Sequence, residues 1–426
     1  LEEGCLVVHI DHGIGKFVGL SSLLIDGVRQ EFLEIEYAKS DKLFVPINQL
    51  DRVQKFIGVE GGRAPKLHRL SGARWGQVKG RVRKNVEQLA KELLKLYAER
   101  EAAPGYAFPA DTIWQQEMED AFPFEETRDQ LTALKDLKRD MQKGRPMDRL
   151  LCGDVGYGKT ELAVRAAFKA VQEGKQVAVL VPTTILAQQH YQTFSGRLAP
   201  FPVKIAALSR LRTGKENKDT VKKMKKGEID IAIGTHRLLS KDVAFKDLGL
   251  LIVDEEQRFG VKHKERIKEL KTAVDVLTLS ATPIPRTLNL AMSGVRDISV
   301  INTPPKGRLP IRTVVQEFDD RVVRGAIRKE LERGGQVYYV SNRIDTQDMV
   351  VAKVKKLVPE ARIRAGHGRM DRAALERLMI DFYNRQYDVL VSTTIIESGL
   401  DIPNVNTMIV EDAHRLGLAQ LYQLRG

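Results

Sequence analysis

The stretch that most constrains this chain is residues 153–160, which read G-D-V-G-Y-G-K-T. It fits the pattern G-x-x-x-x-G-K-[ST] of a P-loop, in which backbone N–H groups surround the phosphates of a nucleotide. A short apolar run precedes the loop, and an alanine-rich helical stretch at 161–172 follows it. This strand–loop–helix context lets a helix N-terminus face the phosphates. The stretch therefore predicts a nucleoside triphosphate site at the edge of an α/β domain.

Two side chains of the loop are predicted to act on the nucleotide directly. Lys159 would reach the β- and γ-phosphates, and Thr160 would ligate Mg²⁺. ATP and Mg²⁺ are therefore the predicted cofactors. The predicted nucleotide-binding residues of the loop are Gly153, Asp154, Val155, Gly156, Tyr157, Gly158, Lys159 and Thr160.

A second motif, L-I-V-D-E-E-Q at 251–257, is an apolar strand that ends in carboxylates. In P-loop enzymes a carboxylate at such a strand end lies beside the Mg²⁺. Asp254 would hold the metal through water, and Glu255 would accept a proton from the water that attacks the γ-phosphate. A strand that ends in acidic residues is common, but a P-loop upstream makes the pairing informative. Gln257 completes the predicted catalytic set.

Upstream of the P-loop, Phe124 and Gln130 have the chemistry to bind adenine. The aromatic ring would stack on the base, and the amide would pair with the base edge. An amphipathic helix over 129–142 explains Gln130 equally well, so both interpretations stay open.

Length and composition narrow the class of protein. A chain of 426 residues is long enough for roughly two to four domains. Its net charge of +13 suits a polyanionic partner but also fits many solvated surfaces. Two distant cysteines, Cys5 and Cys152, indicate a reducing compartment and no zinc site, which predicts a cytoplasmic protein. No apolar run approaches the about eighteen residues of a membrane span. We also expect the chain to be a fragment, because it starts at Leu1 and stops at Gly426.

The N-terminal part, residues 1–58, contains short β-rich runs separated by turn signals, which predicts a compact antiparallel barrel or Tudor-like module. Its stretch 31–37, E-F-L-E-I-E-Y, alternates charged and apolar residues as a half-exposed strand would. Such a strand could pair with a partner at a sheet edge, or be an ordinary barrel strand. Residues 59–103 read as a linker followed by a long joining helix at 72–102.

The rest of the chain alternates short apolar runs with helical stretches, which is typical of parallel α/β sheets. We predict one α/β domain over 104–303, a linker at 304–310, and a second α/β domain over 311–426 that lacks its own P-loop. The first predicted strand of the second domain is 311–318. The predicted fold is therefore multidomain, with a small all-β module, a connecting helix and two α/β domains of which the second is truncated.

Four stretches resemble the helicase motifs of superfamily 2: G-D-V-G-Y-G-K-T, D-E-E-Q-R-F-G, S-A-T-P-I-P-R-T and T-T-I-I-E-S-G-L-D-I-P-N. Within it, the chain is most similar to RecG helicases and bacterial transcription-repair coupling factors. Residues 9–20 and 37–46 resemble the CarD-like RNA-polymerase-interacting domain of the coupling factors, whereas RecG carries an OB-fold wedge there.

The resemblance implies that the two α/β domains, over 104–303 and 311–426, are RecA-like. It also implies an ATP-driven translocase on double-stranded DNA that displaces stalled RNA polymerase and so couples transcription to nucleotide-excision repair. It implies that the N-terminal module grips the polymerase β subunit by strand pairing, with Leu33, Glu34 and Ile35 at the contact. It implies binding of the repair protein UvrA in the full-length protein only, and no membrane partner. A RecG-like branch-migration helicase, or a transcription regulator with a non-catalytic nucleotide fold, remains an alternative.

The family's DNA-facing positions fall here mostly on hydroxyl and basic side chains, which suit sequence-independent contact with phosphates. These residues are Thr183, Thr184, Ser209, Arg210, Thr235, His236, Arg237, His367, Arg369, Thr393 and Thr394. The family also implies nucleotide contacts from the second domain at Gly399, Asp401, Gln423 and Arg425. A basic stretch at 210–226 reads equally well as a DNA contact or as a solvated helix.

One departure from the family concerns its last motif, which begins at residues 417–426 and continues in relatives with arginine fingers. Loss of an arginine finger typically costs about 10³–10⁵ in turnover. We therefore expect the chain to bind ATP and polymerase but to hydrolyse ATP poorly.

Overall fold

A computed structural model describes the chain in segments separated by gaps. The described residues are 3–25, 28–46, 52–56, 103–209, 213–256, 274–281, 296–307, 311–341, 343–393 and 402–416, with isolated positions elsewhere. The chain divides into two units, Leu1–Leu96 and Tyr97–Gly426, and each is described by itself. The predicted joining helix at 72–102 lies outside the described residues.

The N-terminal unit is a five-stranded antiparallel sheet in the order β4-β3-β2-β1-β5. Alternate side chains of its strands point to a small core formed by Val7, Phe17, Leu33, Ile35, Tyr37, Val45 and Val53. This period of two is the alternation seen in the sequence. The strands are β1 (Leu6–His9), β2 (Gly13–Ile25), β3 (Val28–Glu36), β4 (Lys42–Pro46) and β5 (Val53–Lys55).

The prediction that the strand at 31–37 is a free edge is wrong. Strand β3 pairs on one side with β2 and on the other with β4, so its backbone groups are already used within the sheet. Leu33 and Ile35 are 2% and 0% exposed and belong to the core. Glu34 points the other way and pairs with Lys42 at 2.7 Å. The alternative of an ordinary strand inside the module is the correct one.

The first lobe of the larger unit is a seven-stranded parallel sheet in the order β12-β6-β11-β10-β7-β9-β8. Its central strands read as continuous apolar runs because helices cover both faces. The sequence predicted six of them within a few residues and missed the edge strand β12. The strands are β6 (Asp148–Gly153), β7 (Gln176–Leu180), β8 (Ile205–Leu208), β9 (Ile231–Gly234), β10 (Leu248–Asp254), β11 (Asp275–Ser280) and β12 (Asp297–Ile301).

The helices of the first lobe are α1 (Ile113–Asp120), α2 (Arg128–Met141), α3 (Lys159–Gln172), α4 (Thr184–Leu198) and α5 (Gly214–Lys226). Helix α3 follows the P-loop, and each of its residues from Glu161 to Ala170 is buried. The P-loop therefore rests on a helix that is fixed on all sides. Capping boxes start α2, between Thr127 and Gln130, and α5, between Thr213 and Glu216.

The second lobe is a four-stranded parallel sheet in the order β14-β15-β13-β16. The strands are β13 (Gln336–Val340), β14 (Ile363–Gly366), β15 (Val389–Ser392) and β16 (Val405–Val410). The helices are α6 (Asp320–Glu332), α7 (Gln347–Leu357) and α8 (Arg372–Tyr383). A small antiparallel module followed by two RecA-like parallel lobes confirms the predicted multidomain fold class.

The predicted strand at 311–318 is wrong, because these residues are described without strand pairing. Their apolar side chains are exposed, up to 91% for Val315. β-Branched composition alone therefore did not decide the conformation, since a strand also needs a neighbour to pair with.

Arg149 ties α2 to two strands of the first lobe. It donates from Nε to Asp140 Oδ2 at 2.7 Å, donates again to that oxygen from Nη2, and donates from Nη1 to Ser299 Oγ at 2.7 Å. Arg149 and Asp140 are both 3% exposed. Lys143 supplies a second partner for Asp140 at 2.7 Å.

We expect the substitution Arg149→Met to destabilise the first lobe by about 3–5 kcal/mol, because it leaves a buried carboxylate without its main partner. Urea unfolding followed by circular dichroism measures the loss. The matched control is Arg139→Met, since Arg139 pairs with Asp136 at 2.8 Å but is 60% exposed. That change should cost less than about 1 kcal/mol. Equal losses for the two variants would contradict the assignment.

Candidate nucleotide and DNA site

The order of three neighbouring strands places the predicted catalytic groups together. Strands β6, β11 and β10 are adjacent and parallel, so their carboxyl ends meet at one edge of the sheet. The P-loop follows β6, Ser280 ends β11, and Asp254 ends β10. Residues separated by about a hundred positions in the sequence thus form one candidate site.

The P-loop needs glycine where the backbone turns. Gly156 and Gly158 both have φ of +78°, a left-handed conformation that side chains with a Cβ disfavour. A Cβ at Gly158 would also lie 2.4 Å from Gln130 Nε2. Helix α3 begins directly after Gly158, so its N-terminal N–H groups and dipole favour a phosphate at this place.

Lys159 is held inside the loop. Its Nζ donates to the carbonyl oxygens of Gly153 and Asp154, at 2.7 and 2.9 Å. Burial lowers the pKa of the Lys159 ammonium, and the nearby charges of Asp254 and Glu255 act in the opposite direction. The ammonium therefore lies within electrostatic range of both carboxylates of the second motif. The contact of Lys159 with phosphates stays a prediction.

Asp254 and Glu255 occupy different environments at the end of β10. Asp254 Oδ2 lies 3.0 Å from Nε2 of His190, a residue of α4. Glu255 is 4% exposed and has φ of +51°, which is uncommon for a residue with a side chain. Its Oε1 accepts the N–H of Ala281 at 2.7 Å. This bond ties the predicted general base to the S-A-T-P motif at the end of β11.

The donor set fits Mg²⁺. The hydroxyl of Thr160 and the carboxylate of Asp254 are hard oxygen ligands, and Mg²⁺ is usually held by one or two carboxylates together with substrate phosphates. Within the described ranges, no group of three or more His, Cys, Asp or Glu residues forms a dedicated metal cage. When bound, the ion would supply charge neutralisation for the phosphates.

The two residues predicted to bind adenine lie on either side of the start of α2. Gln130 is buried: its Oε1 accepts the Thr127 N–H at 2.7 Å, and its Nε2 donates to the Tyr157 carbonyl at 3.0 Å. The amide thus caps α2 and braces the P-loop, as the helix interpretation requires. Phe124 is 67% exposed and contacts Phe122 edge-on at 5.5 Å. Adenine binding by either residue stays a prediction.

The segment between the lobes is anchored beside this region. Asp129 Oδ2 accepts the N–H groups of Asn302 and Thr303 and the Thr303 hydroxyl, each at 2.9 Å. Lys306 pairs with Glu125 at 2.6 Å. Asp129 and Glu125 are next to Gln130 and Phe124 in the sequence. The start of the linker is therefore held beside the two residues that are predicted to bind adenine.

Among the DNA-facing predictions, Thr183 and Thr184 follow β7. Thr183 caps α4 by accepting the Leu186 N–H at 3.3 Å. Thr184 is 2% exposed, and its hydroxyl donates to Glu376 Oε1 on α8 at 3.1 Å. The structure thus places Thr184 where the two lobes touch.

The other described DNA-facing residues also lie at or just beyond strand ends of the two sheets. Ser209 and Thr235 are buried, and Arg237 forms a bidentate pair with Asp242 at 2.6 and 2.5 Å. Arg369 Nη1 lies 3.5 Å from Asp345 Oδ1. The remaining members of this set are His236, His367 and Thr393.

Seven predicted site residues lie outside the described part of the chain. They are Gln257, Arg210, Thr394, Gly399, Asp401, Gln423 and Arg425. Conversely, no sequence motif predicts a role for His190 or Glu376. Neither residue lies in a motif. The packing of α4 brings His190 to Asp254, and the packing of α8 against α4 brings Glu376 to Thr184.

Three family models match the chain. A CarD-like/TRCF RID domain matches residues 1–57, a DEAD/DEAH box helicase domain matches 127–291, and a helicase conserved C-terminal domain matches 321–426. Part of the described structure thus carries the nucleotide-binding architecture of helicase-like ATPases. Across the described residues, no helix has both the length and the apolar run that a membrane crossing requires.

Curated relatives align with the chain from end to end. A transcription-repair-coupling factor of Bacillus subtilis (strain 168) is 58% identical over 426 residues, and one of Staphylococcus aureus (strain MRSA252) is 54% identical over the same length. The chain spans 36% of the length of each of these relatives.

Solved structures have a similar fold. RecG bound to a three-way DNA junction superposes with a TM-score of 0.67 at 30% identity, over 94% of this chain and 61% of RecG. The Mycobacterium smegmatis helicase Lhr bound to single-stranded DNA and AMP-PNP superposes with a TM-score of 0.54 at 18% identity, over 73% of this chain and 45% of Lhr. The second likeness concerns the fold alone.

We expect Glu255→Gln to abolish hydrolysis while it preserves nucleotide binding. A glutamine oxygen still accepts the Ala281 N–H, but an amide cannot take a proton from water, and loss of a general base typically costs about 10²–10⁴-fold. Single-turnover hydrolysis of ATP and equilibrium binding of ADP measure the two effects. Glu256→Gln is the control, because Glu256 is the neighbouring carboxylate. A Glu255→Gln variant that hydrolyses ATP at the control's rate would show that Glu255 is not the base.

Proposed function

We propose that the chain belongs to the transcription-repair-coupling factor family and that it is the polymerase-binding and motor part of an ATP-driven translocase on double-stranded DNA. In the whole protein, this motor would displace RNA polymerase stalled at DNA lesions and so couple transcription to nucleotide-excision repair. Binding of UvrA is proposed for the full-length protein only. Because the chain spans about a third of its curated relatives, each of these activities is a proposal for this chain.

The observation that carries the proposal is the presence of two units of different chemistry on one chain. The β module matches the CarD-like/TRCF RID domain, and the larger unit holds a P-loop beside carboxylates at the edge of a parallel sheet. A motor alone fits many helicases. A motor joined to this β module favours the coupling factors over RecG.

We propose ATP and Mg²⁺ as the cofactors. Lys159 and the N–H groups of the P-loop would hold the phosphates, Thr160 and Asp254 would hold the metal, and Glu255 would act as general base. The support is the mutual proximity of Lys159, Asp254 and Glu255, together with the buried helix behind the loop.

DNA would bind across the carboxyl edges of both sheets through its phosphates. Hydroxyl groups and basic side chains dominate the predicted contacts, and such groups read no base sequence. Helix α5 adds six lysines, Lys215, Lys218, Lys222, Lys223, Lys225 and Lys226. Contact of this helix with DNA would make binding strongly salt-dependent.

The polymerase contact is proposed at β4 instead of β3. Within the described part of the sheet, β4 pairs with β3 only, so it is an edge that can accept a further strand. Phe44 on β4 is 38% exposed, whereas Leu33 and Ile35 are in the core. The partner strand would belong to the polymerase β subunit.

Two alternatives predict different behaviour. A RecG-like helicase would remodel branched DNA and would not bind the polymerase β subunit. A transcription regulator with a non-catalytic nucleotide fold would bind polymerase and DNA but would act without ATP turnover.

We expect Lys159→Ala, introduced into the full-length protein, to abolish displacement of stalled polymerase, because the γ-phosphate loses its ammonium partner. Release of a stalled elongation complex from an end-labelled template measures displacement, and a salt-dependent gel shift confirms that DNA binding remains. Lys135→Ala on the exposed face of α2 is the control. Displacement by the Lys159→Ala protein would favour the non-catalytic regulator.

We expect Phe44→Asp to weaken binding of the polymerase β subunit about tenfold or more, because a charge at the pairing edge opposes burial of that edge. Retention of β on the immobilised chain measures binding. Leu20→Asp is the control, since Leu20 is 64% exposed on the interior strand β2. Equal losses would place the contact elsewhere, and failure of the unmutated chain to bind β would favour RecG-like remodelling.

A further inference from the structure

His190 is a buried histidine that the P-loop and the acidic motif do not include. It lies on α4 and is 5% exposed, and its Nε2 lies 3.0 Å from Oδ2 of Asp254. The two residues come together because β7, which leads into α4, is the sheet neighbour of β10, which ends at Asp254. As a result of this topology, one face of α4 lies against the end of β10.

The chemistry of the pair defines the direction of the hydrogen bond. An ionised carboxylate only accepts, so His190 Nε2 is the donor. Oδ2 of Asp254 is thereby engaged, which leaves Oδ1 for a metal-bound water. His190 Nδ1 is buried and has no partner among the described residues. Among the described residues, the hydrogen bond from Nε2 to Asp254 is therefore the polar contact that the imidazole makes.

Packing alone explains the burial of His190 but not this bond. The centroid of its ring lies 6.1 Å from that of Phe194 on the same helix. An apolar side chain could make this ring contact equally well. A carboxylate that holds a metal gains from a fixed second partner, because outer-shell hydrogen bonds orient the ligand. Asp254 is 15% exposed, so water does not fully replace such a partner.

We propose that His190 is a positioning residue for the magnesium site. It holds Oδ2 of Asp254, and so would orient the other carboxylate oxygen toward a water bound to Mg²⁺, at the site that Thr160 and the nucleotide phosphates complete. This inference rests on the proposed ATPase function. It assigns to His190 a part in metal affinity and none in contact with the nucleotide.

The test uses two amides that differ in reach. In His190→Gln the amide nitrogen extends about as far as imidazole Nε2, whereas in His190→Asn it falls one methylene short. His190→Phe keeps the packing against Phe194 and has no donor. Binding of the fluorescent analogue N-methylanthraniloyl-ADP to the 426-residue chain is titrated with Mg²⁺, and again in EDTA.

We expect His190→Asn and His190→Phe to raise the Mg²⁺ concentration for half-maximal enhancement of binding about 10–100-fold, the usual effect of losing an outer-shell partner. His190→Gln should stay near the unmutated chain, and affinity in EDTA should not change. A role in packing alone would lower affinity equally with and without Mg²⁺.

Three results would overturn the inference: unchanged Mg²⁺ dependence in the Asn and Phe variants, an equal shift in all three variants, or an equal loss of affinity in EDTA. Failure of the proposed function looks different. In that case the unmutated chain itself would show no Mg²⁺-dependent binding of the nucleotide.

Discussion

The parallel pairing of β6, β11 and β10 is the constraint on which the candidate site depends. Parallel strands need crossover connections, so every loop at their carboxyl edge is free to carry function. The P-loop, Ser280 and Asp254 meet there because their strands are neighbours. The Ala281 N–H then bonds to Glu255 and fixes the distance between two of these loops. A change that shifted one strand would therefore displace several of the predicted catalytic groups at once.

Helix α4 connects the second lobe to the end of β10. Its first turn reaches the second lobe, through Thr184 and Glu376, and two turns later it reaches Asp254 through His190. A similar connection lies on the other side of the site. Gln130 braces the P-loop at Tyr157, and its neighbour Asp129 holds the start of the linker between the lobes. One route joins the candidate nucleotide site to the second lobe and the other joins it to the linker between the lobes, and both include direct hydrogen bonds.

The sequence was sufficient for features that depend on neighbouring residues. The glycine spacing predicted the P-loop and helix α3, and apolar runs predicted most strands. Features that depend on which helices and strands contact one another could not be predicted from the sequence. The alternation in β3 showed that Leu33 and Ile35 share a face, but it could not show whether that strand has one neighbour or two. The pair His190–Asp254 joins residues 64 positions apart, and no local pattern encodes it. The stretch 311–318 has strand composition without a strand neighbour.

The fixed charges of the candidate site favour the proposed Mg²⁺–nucleotide complex over either the ion or the nucleotide alone. One ammonium, Lys159, is placed within electrostatic range of three carboxylates, Asp154, Asp254 and Glu255. A nucleotide without a cation would add further negative charge to this set, while the cation alone would find few ligands. A Mg²⁺–nucleotide complex would satisfy both, because the ion would offset the carboxylates while the P-loop N–H groups and Lys159 would offset the phosphates. On the proposed function, a bond that fixes the Asp254 carboxylate would then change the affinity for the Mg²⁺–nucleotide complex more than the affinity for the nucleotide alone.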